Sequence, residues 1–334
     1  MWILSNIIPV LKLYFVGLKV LLYQLFHKGF TLPVLPKQNG KVAIVTGGAR
    51  GLGYETVRQL TDLGVHVIIA SRNETEGLAA VKKICEKNSE AQVDFEFLDV
   101  ASLRSVRCFV RRFKERRLPL HVLINSGASR HLSAVMLVPE GRTEDEFETH
   151  FATNYLGHFL LTRLLLDSLV HSGKDGSCSR VVSISSSAHY AADARLQDLL
   201  SMRCSSAHAA YARSKLAQVL FTYRLHHVLR CGGSPVTATA LDPGLVDTGL
   251  YERLCRPARL AQRAVARLCF KTPAEGAAAV VFAAVSPDLE GVGGCYLYEG
   301  QRIRSSAASY DEDLQAGLWR NTCDLLDLQD SLFD

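Results

Sequence analysis

The sequence predicts an α/β fold in which a doubly wound, parallel, seven-stranded sheet carries helices on both faces. Three observations point to it: short apolar runs alternate with amphipathic helical stretches, most runs are continuously apolar, and a glycine-rich turn follows the first run. Parallel strands covered on both faces read as continuous apolar runs, because neither side of the sheet meets water. We therefore expect a doubly wound sheet in a single domain.

Length and composition agree with one ordered domain. The chain has 334 residues, of which 48% are hydrophobic and 21% charged, as is usual for globular proteins. A formal net charge of +5 is mild, so no nucleic-acid partner is expected. The nine cysteines form no C-x-x-C pair and no regular spacing with histidines, so we expect neither disulfides nor a structural metal.

The first element is an apolar segment at the N-terminus, which we predict to be a hydrophobic membrane anchor over residues 1–28. Lys12 and Lys19 lie seven residues apart on one helical face, so a tilted span and a helix in the membrane plane both remain open. An ordinary core helix is a third, less favoured interpretation. The lysines that follow the segment place the main domain in the cytosol by the positive-inside rule.

A short linker over residues 29–40, marked by Pro33, Pro36 and Gly40, precedes the predicted domain over 41–334. Thr272-Pro273-Ala274-Glu275 has the pattern of a helix start. The longest amphipathic helical stretches cover 156–169 and 211–229. The predicted strands cover 41–46, 65–70, 93–98, 120–125, 180–185, 236–241 and 295–298.

The first strand runs into TGGARGLG, where Gly47, Gly51 and Gly53 open a helix. Glycines at this spacing let the backbone turn tightly and approach a pyrophosphate, which the amides of a helix N-terminus stabilise. A purely structural turn is the alternative. It is disfavoured because a strand precedes the glycines and a helix follows them within a βαβ unit.

Two arginines predict the preferred cofactor. Folds that bind NAD(H) usually end the second strand in an acid that holds the ribose, whereas this chain has Ser71 and Arg72 there. Arg50 in the glycine loop lies close to the same place. Because guanidinium groups bind phosphate with paired donors, we expect NADP(H) to be preferred, with NAD(H) as the alternative cofactor. Solvated surface arginines are the competing interpretation.

The segment YARSK predicts the chemistry. Tyr211 and Lys215 lie four residues apart on one helical face, so the ammonium can lie beside the phenol and lower its pKa towards the range of a general acid or base. Twenty-five residues before Tyr211, the fifth strand ends in Ser185-Ser186, which supplies a hydroxyl at the carboxyl edge of the sheet.

These motifs together resemble the short-chain dehydrogenase/reductase family over residues 41–300. The resemblance implies a Rossmann-type fold and a catalytic set of Ser186, Tyr211, Lys215 and Asn154, the last from TNYLGHF. It also implies the cofactor-binding residues Thr46, Gly47, Arg50, Gly51, Leu52, Gly53, Arg72, Asp99, Val100, Asn125, Tyr211, Lys215, Pro243, Gly244, Val246 and Thr248.

The resemblance implies an oxidoreductase that interconverts a lipophilic alcohol and its aldehyde or ketone. Its most similar branch acts on lipids, so a polyprenoid substrate is expected, with retinoids or steroids as alternatives. The direction of reaction stays open, and a homodimer is allowed. The branch also implies association with the endoplasmic reticulum membrane, with the catalytic domain facing the cytosol.

Two segments depart from a simple interpretation. After Asn125 the chain continues SGASRH, about six residues longer than is typical of this branch, which we interpret as a bulged loop that tolerates the cofactor. If the loop instead prevents catalysis, the chain would be a dinucleotide-binding regulator without turnover, which is the rival interpretation of its function.

Five arginines between 253 and 267 recur at helical spacing, and they indicate either a membrane-facing helix or a solvated one.

Overall fold

The computed structural model describes residues 2–27, 29–126, 141–200, 206–247 and 270–330. They form a single α/β domain around an eight-stranded sheet of order β3-β2-β1-β4-β5-β6-β7-β8, in which all neighbouring strands but the last pair are parallel. The strands are β1 Val42–Thr46, β2 His66–Ser71, β3 Val93–Phe97, β4 Val122–Asn125, β5 Ser179–Ile184, β6 Val236–Asp242, β7 Cys295–Tyr298 and β8 Gln301–Ile303.

The prediction of seven strands was wrong by one, because it missed β8. This strand has three residues and pairs antiparallel with β7, with Tyr298 opposite Gln301. Glu299 and Gly300 make the turn between them, both with positive φ. A three-residue strand with an exposed start has too few apolar positions to show either alternation or a continuous run.

The helices flank both faces of the sheet. They are α1 Trp2–Phe26, α2 Gly51–Asp62, α3 Glu74–Lys87, α4 Leu103–Glu115, α5 Thr149–Phe151, α6 Gly157–Ser172, α7 Leu196–Leu200, α8 Ala207–Cys231, α9 Pro273–Val285 and α10 Glu312–Leu325. On one face of the sheet, α4, α6, α8 and α10 share an apolar core with β4 and β5. On the other face, α2, α3 and α9 pack against β1 and β2. A π-helical turn, Ala152–Leu156, joins α5 to α6.

Local sequence explains where two functional helices begin. The predicted start at Thr272 is confirmed: its hydroxyl accepts a hydrogen bond from Glu275 N at 3.3 Å, and Glu275 Oε2 accepts one from Thr272 N at 2.7 Å. Helix α8 begins at Ala207, four residues before its predicted start, because the Ser206 hydroxyl accepts from Ala209 N at 3.3 Å. Tyr211 therefore lies inside the helix, where its backbone is fixed.

The strand order places the candidate site. The chain runs outward from β1 to β3 and then returns to β4 on the other side of β1. In doubly wound sheets such a reversal opens a crevice at the carboxyl ends of the strands. Thr46, Asn125 and Asp242, the last residues of β1, β4 and β6, all lie at that edge.

The N-terminal segment packs against the domain. In α1, Leu13 is 5% exposed and contacts residues at the start of α8. Beyond the helix, Phe30, Leu32 and Leu35 of the predicted linker pack against the apolar core that includes α2 and α9, and the Phe30 ring lies 5.3 Å from the ring of Phe282 in α9. None of the helices in the described ranges is long and apolar enough to cross a membrane.

Candidate active site

The glycine loop forms a cradle at the N-terminus of α2. Gly47 and Gly51 have φ of 66° and 52°, and a Cβ atom at Gly53 would overlap the carbonyl oxygen of Gly47. Arg50 occupies the N-cap position, and its side chain makes no capping hydrogen bond. The first amides of α2 are thus left for a ligand, so the loop fits the pyrophosphate of a dinucleotide.

The tips of β1 and β4 are tied together beside this loop. Thr46 Oγ1 accepts a hydrogen bond from Ser126 N at 2.7 Å and lies 3.0 Å from His158 Nε2, while Asn125 Nδ2 donates to Thr162 Oγ1 at 2.9 Å. Burial lowers the pKa of His158 to about 4, so the ring is neutral. The predicted bulged loop after Ser126 lies outside the described residues.

The two arginines that predict the cofactor both lie near carboxylates from other elements. Arg50 Nη1 is 3.6 Å from Glu76 Oε1 of α3, and Arg72 Nη1 is 3.6 Å from Asp99 Oδ2. The side chains of Arg50 and Arg72 are 31% and 37% exposed. Exposed pairs contribute only about 0–1 kcal/mol, so a phosphate can displace or join them at small cost.

Hydrogen bonds fix the position of Asp99, and close packing against α6 fixes that of Val100. Asp99 Oδ1 accepts from Ala101 N at 3.0 Å, and Ser105 Oγ lies 2.9 Å from Asp99 N. A Cβ atom at Gly157, the first residue of α6, would overlap the carbonyl oxygen of Val100. The backbone of Val100 therefore lies closer to the start of α6 than any residue other than glycine at position 157 would allow.

At the carboxyl end of β5, the Ser186 side chain lies within hydrogen-bonding reach of the Tyr211 phenol. Burial, opposed by hydrogen bonding to Ser186, raises the pKa of Tyr211 to about 12. The expectation that the neighbouring lysine lowers the tyrosine pKa was therefore wrong. The reason is that the amine is turned to other partners, and burial dominates.

Two hydrogen-bond acceptors fix the position of the Lys215 amine. Its Nζ donates to Ile184 O at 2.9 Å and to Gln218 Oε1 at 3.0 Å, and lies 5.7 Å from the centre of the Tyr211 ring. The side chain is buried, and burial lowers its pKa to about 8. The amine is thus still mostly protonated at pH 7 but loses its proton far more easily than a solvated lysine, and it lies between the end of β5 and the phenol.

Asn154 reaches the same helix from the π-helical turn. Its Nδ2 donates to Ser214 Oγ at 2.9 Å, and Ser214 Oγ donates to Tyr211 O at 2.8 Å. Its backbone oxygen accepts from His158 Nδ1 at 3.2 Å. Single π-helical turns are frequent at functional sites, because they redirect one residue without ending the helix. Sequence reasoning missed this turn and His158.

Asp242 is a further site residue that sequence reasoning missed. This buried carboxylate, directly before Pro243, accepts hydrogen bonds from Ser187 N at 2.6 Å, Gly244 N at 2.8 Å and the Tyr296 hydroxyl at 3.3 Å. It thereby joins the segment after Ser186 to the turn at the end of β6. In the sequence, Asp242 could have been identified as a candidate because it directly follows the predicted strand 236–241, at the edge of the sheet where ligands bind.

The predicted residues after β6 lie beside the glycine loop. Gly244 has φ of 83°, and Lys271 Nζ lies 3.4 Å from Pro243 O. The side chains of Val246 and Leu52 both pack against Gly276 of α9. A Cβ atom at Gly276 would be 2.7 Å from Val246 Cγ2 and 3.0 Å from Leu52 Cδ1. Thr248 and the predicted arginine-rich helix lie outside the described residues.

Comparison with known proteins agrees with this geometry. The family model described as short chain dehydrogenase matches residues 41–257. A polyprenol dehydrogenase of Danio rerio is 56% identical over 98% of this chain and 100% of its own length. Retinol dehydrogenase 12 of Mus musculus is 36% identical over 87% of each chain. A crystal structure of an uncharacterized protein from Mycobacterium paratuberculosis superimposes with a TM-score of 0.68 at 31% identity, covering 90% of this chain and 99% of that one.

Proposed function

The chain belongs to the short-chain dehydrogenase family, and we propose that it interconverts a polyprenoid alcohol and its aldehyde with NADP(H) as the preferred cofactor. Family membership makes it an NAD(P)-dependent oxidoreductase that acts on CH–OH groups. The observation that carries the proposal is that the side chains of Ser186, Tyr211 and Lys215 converge at the carboxyl edge of the sheet, with the Lys215 amine 5.7 Å from the centre of the Tyr211 ring.

Each side chain of this group has a separate task in carbonyl reduction. Tyr211 donates its proton to the carbonyl oxygen, and its raised pKa keeps that proton in place across the neutral range. The Ser186 hydroxyl donates a hydrogen bond to the same oxygen while negative charge develops on it. The bound nicotinamide supplies the hydride. In alcohol oxidation the same residues act in reverse order, with Tyr211 accepting the proton.

Lys215 and Asn154 support the tyrosine. The Lys215 amine, which donates to Ile184 O and Gln218, holds three protons of adjustable direction and can bond the ribose of the cofactor when that is bound. Asn154 fixes the helix that carries Tyr211 through Ser214. We propose that this pair orients the phenol, and that after each reduction the Lys215 ammonium returns a proton to the phenolate and regains one from solvent.

The cofactor and substrate classes rest on different observations. Arg50 and Arg72 at the adenosine end favour the 2′-phosphate of NADP(H), because their pairs with carboxylates are partly exposed and weak. The substrate class rests on the relative of Danio rerio, whose name specifies polyprenol. A retinoid is the second candidate, favoured by the retinol dehydrogenase of Mus musculus.

A membrane surface is the proposed source of such a lipid. Seven large apolar side chains on one side of α1 are at least 43% exposed in the single chain. A helix that is apolar on its outer side fits the interfacial region of a bilayer. We propose attachment to the endoplasmic reticulum with the domain in the cytosol. The exposed side chains are Leu11, Tyr14, Phe15, Leu18, Leu22, Leu25 and Phe26.

A substrate panel tests the proposal. The full chain in mixed micelles is assayed with polyprenal, retinal and a steroid ketone, each with NADPH and with NADH. We expect polyprenal with NADPH to give the highest kcat/KM. Turnover that is highest with retinal or a steroid would reassign the substrate, and binding of NADPH without turnover of any carbonyl would support a regulator. Flotation of the protein with vesicles checks the membrane surface.

A further inference from the structure

Helix α1 lies directly against the candidate active site. Leu13 fills a small apolar cluster with Ala188, Ala191 and Ala212, and the ring of Tyr211 packs against that cluster. At the same end of the helix, Lys12 Nζ lies 3.6 Å from Asp193 Oδ1. The helix therefore touches both the turn that follows Ser186 and the helix that carries the tyrosine.

The two sides of α1 differ in what covers them. From residue 10 onward, side chains with helical spacing on the inner side are partly or fully buried, whereas those on the outer side are exposed. In this part of the helix the inner side is apolar with one exception, the amide of Gln24. Its members from residue 10 onward are Val10, Leu13, Val16, Gly17, Val20, Leu21 and Gln24.

The Gln24 amide pairs with a backbone peptide of the candidate site. Its Oε1 accepts a hydrogen bond from Leu245 N at 2.8 Å, and its Nε2 donates to Leu245 O at 3.4 Å. A side-chain amide that bonds both groups of one residue fixes the position and the orientation of that backbone. Two residues earlier in the chain, Pro243 begins the turn that Asp242 holds.

The other side of this turn is held by Lys271. Its backbone N donates to Leu245 O at 2.8 Å, its backbone O accepts from Asp247 N at 2.9 Å, and its buried ammonium pairs with Glu299 at 2.7 Å. A Cβ atom at Gly244 would lie 3.1 Å from Gln24 Oε1 and 3.2 Å from Lys271 Nζ. Residues 243–247 are thus clamped between α1 and the segment before α9.

We propose that Gln24 is a positioning residue of the active site, which couples the N-terminal helix to the loop 243–247 on the nicotinamide side. The inference rests on the proposed function, because the loop matters only if a dinucleotide binds beside it. With its outer side on a membrane and its inner side on this loop, α1 links the place where lipid arrives to the geometry of the cofactor site. It is thereby part of the catalytic apparatus as well as an anchor.

The test compares three variants of the full chain in micelles. Gln24→Met keeps the bulk and loses both hydrogen bonds, Gln24→Glu keeps the acceptor for Leu245 N, and Leu18→Ala is a control on the outer side of the same helix. The readouts are hydrogen–deuterium exchange of the Leu245 amide, the dissociation constant for NADPH, and kcat and KM for polyprenal. Thermal unfolding checks that each variant is folded.

We expect Gln24→Met to speed exchange at Leu245 and to weaken NADPH binding by about 3- to 10-fold, the factor of one hydrogen bond. Gln24→Glu should stay close to wild type, and Leu18→Ala should leave exchange at Leu245 unchanged. Exchange and NADPH affinity within about 2-fold of wild type in folded Gln24→Met would overturn the proposal. Exchange reports on the clamp even if polyprenal is not turned over, so the two failures are distinguishable.

Discussion

The two halves of the candidate site hold their charged groups in opposite ways. In the tyrosine half, which comprises Ser186, Tyr211, Lys215 and Asp242, the lysine and the carboxylate are buried, and each makes at least two hydrogen bonds. In the arginine half, which comprises Arg50, Arg72, Glu76 and Asp99, the opposite charges lie 3.6 Å apart and are partly exposed.

We attribute the difference to the proposed work of each half. Proton transfer requires groups held in one geometry, which a buried lysine and a buried carboxylate with several hydrogen bonds would provide. Guanidinium groups that would bind a phosphate with paired donors must be able to turn towards it, which partly exposed side chains allow. Substitutions in the tyrosine half should thus change rate strongly, and those in the arginine half should change cofactor preference modestly.

The largest effect is expected for Tyr211→Phe, which removes the proton donor and keeps the ring. Turnover of polyprenal should fall by about 100- to 10,000-fold, the range for loss of a general acid, while NADPH still binds. Steady-state kinetics and fluorescence titration measure the two quantities. Tyr223→Phe is the matched control on α8, because that hydroxyl bonds Ser305 at 2.7 Å, away from Tyr211. Equal loss of turnover in both variants would contradict the assigned role.

Lys215→Met should abolish turnover and yet cost the fold little stability at pH 7. Lowering the pKa from 10.5 to about 8 corresponds to a cost of roughly 3 kcal/mol for the protonated amine, and removing that cost offsets the about 1–3 kcal/mol for each of the two buried acceptors, Ile184 O and Gln218 Oε1, that lose their donor. We therefore expect the free energy of unfolding to change by less than about 3 kcal/mol.

The sign of the pH dependence is a separate check on the same variant. Between pH 8 and 10.5 the unfolded chain holds more protons on Lys215 than the native protein does, so wild type gains stability relative to the variant as pH rises through this window. Urea unfolding at pH 7 and pH 9.5 measures the change. A stability difference that is the same at both values would show that the buried lysine carries no such cost.

In the arginine half the expected effects are smaller. Arg72→Ala should lower the preference for NADPH over NADH by about 3- to 10-fold, because one partly exposed donor to the phosphate is lost. Arg58→Ala is the control, since that arginine is 30% exposed and pairs with Glu55 and Asp62 on α2. An unchanged ratio of the two dissociation constants in Arg72→Ala would remove the structural basis for the preference.

The same contrast shows what sequence could predict. The glycine cradle, the end of β5 and the Tyr211-Lys215 spacing are local patterns, and the structure places them at one edge of the sheet as expected. The parallel sheet of seven strands was predicted because most of the strands are continuous apolar runs.

The features that were missed depend on contacts between distant segments. Asp242 becomes a junction only when Ser187 and Tyr296 meet it across neighbouring elements, and Arg72 meets Asp99 only after β3 pairs with β2. The pKa of Tyr211 is set by burial, which no single motif encodes. Strand β8 and the π-helical turn are too short to leave a periodic pattern.

The most direct test of the central claim is the transfer of deuterium from NADPH labelled at nicotinamide C4 to polyprenal, followed by mass spectrometry of the alcohol. If Ser186 and Tyr211 activate a carbonyl beside the nicotinamide, wild type should place the label on C1 of polyprenol, and Tyr211→Phe should lose nearly all of this product while still binding NADPH. Polyprenol without label, or equal labelling by the variant, would contradict the account.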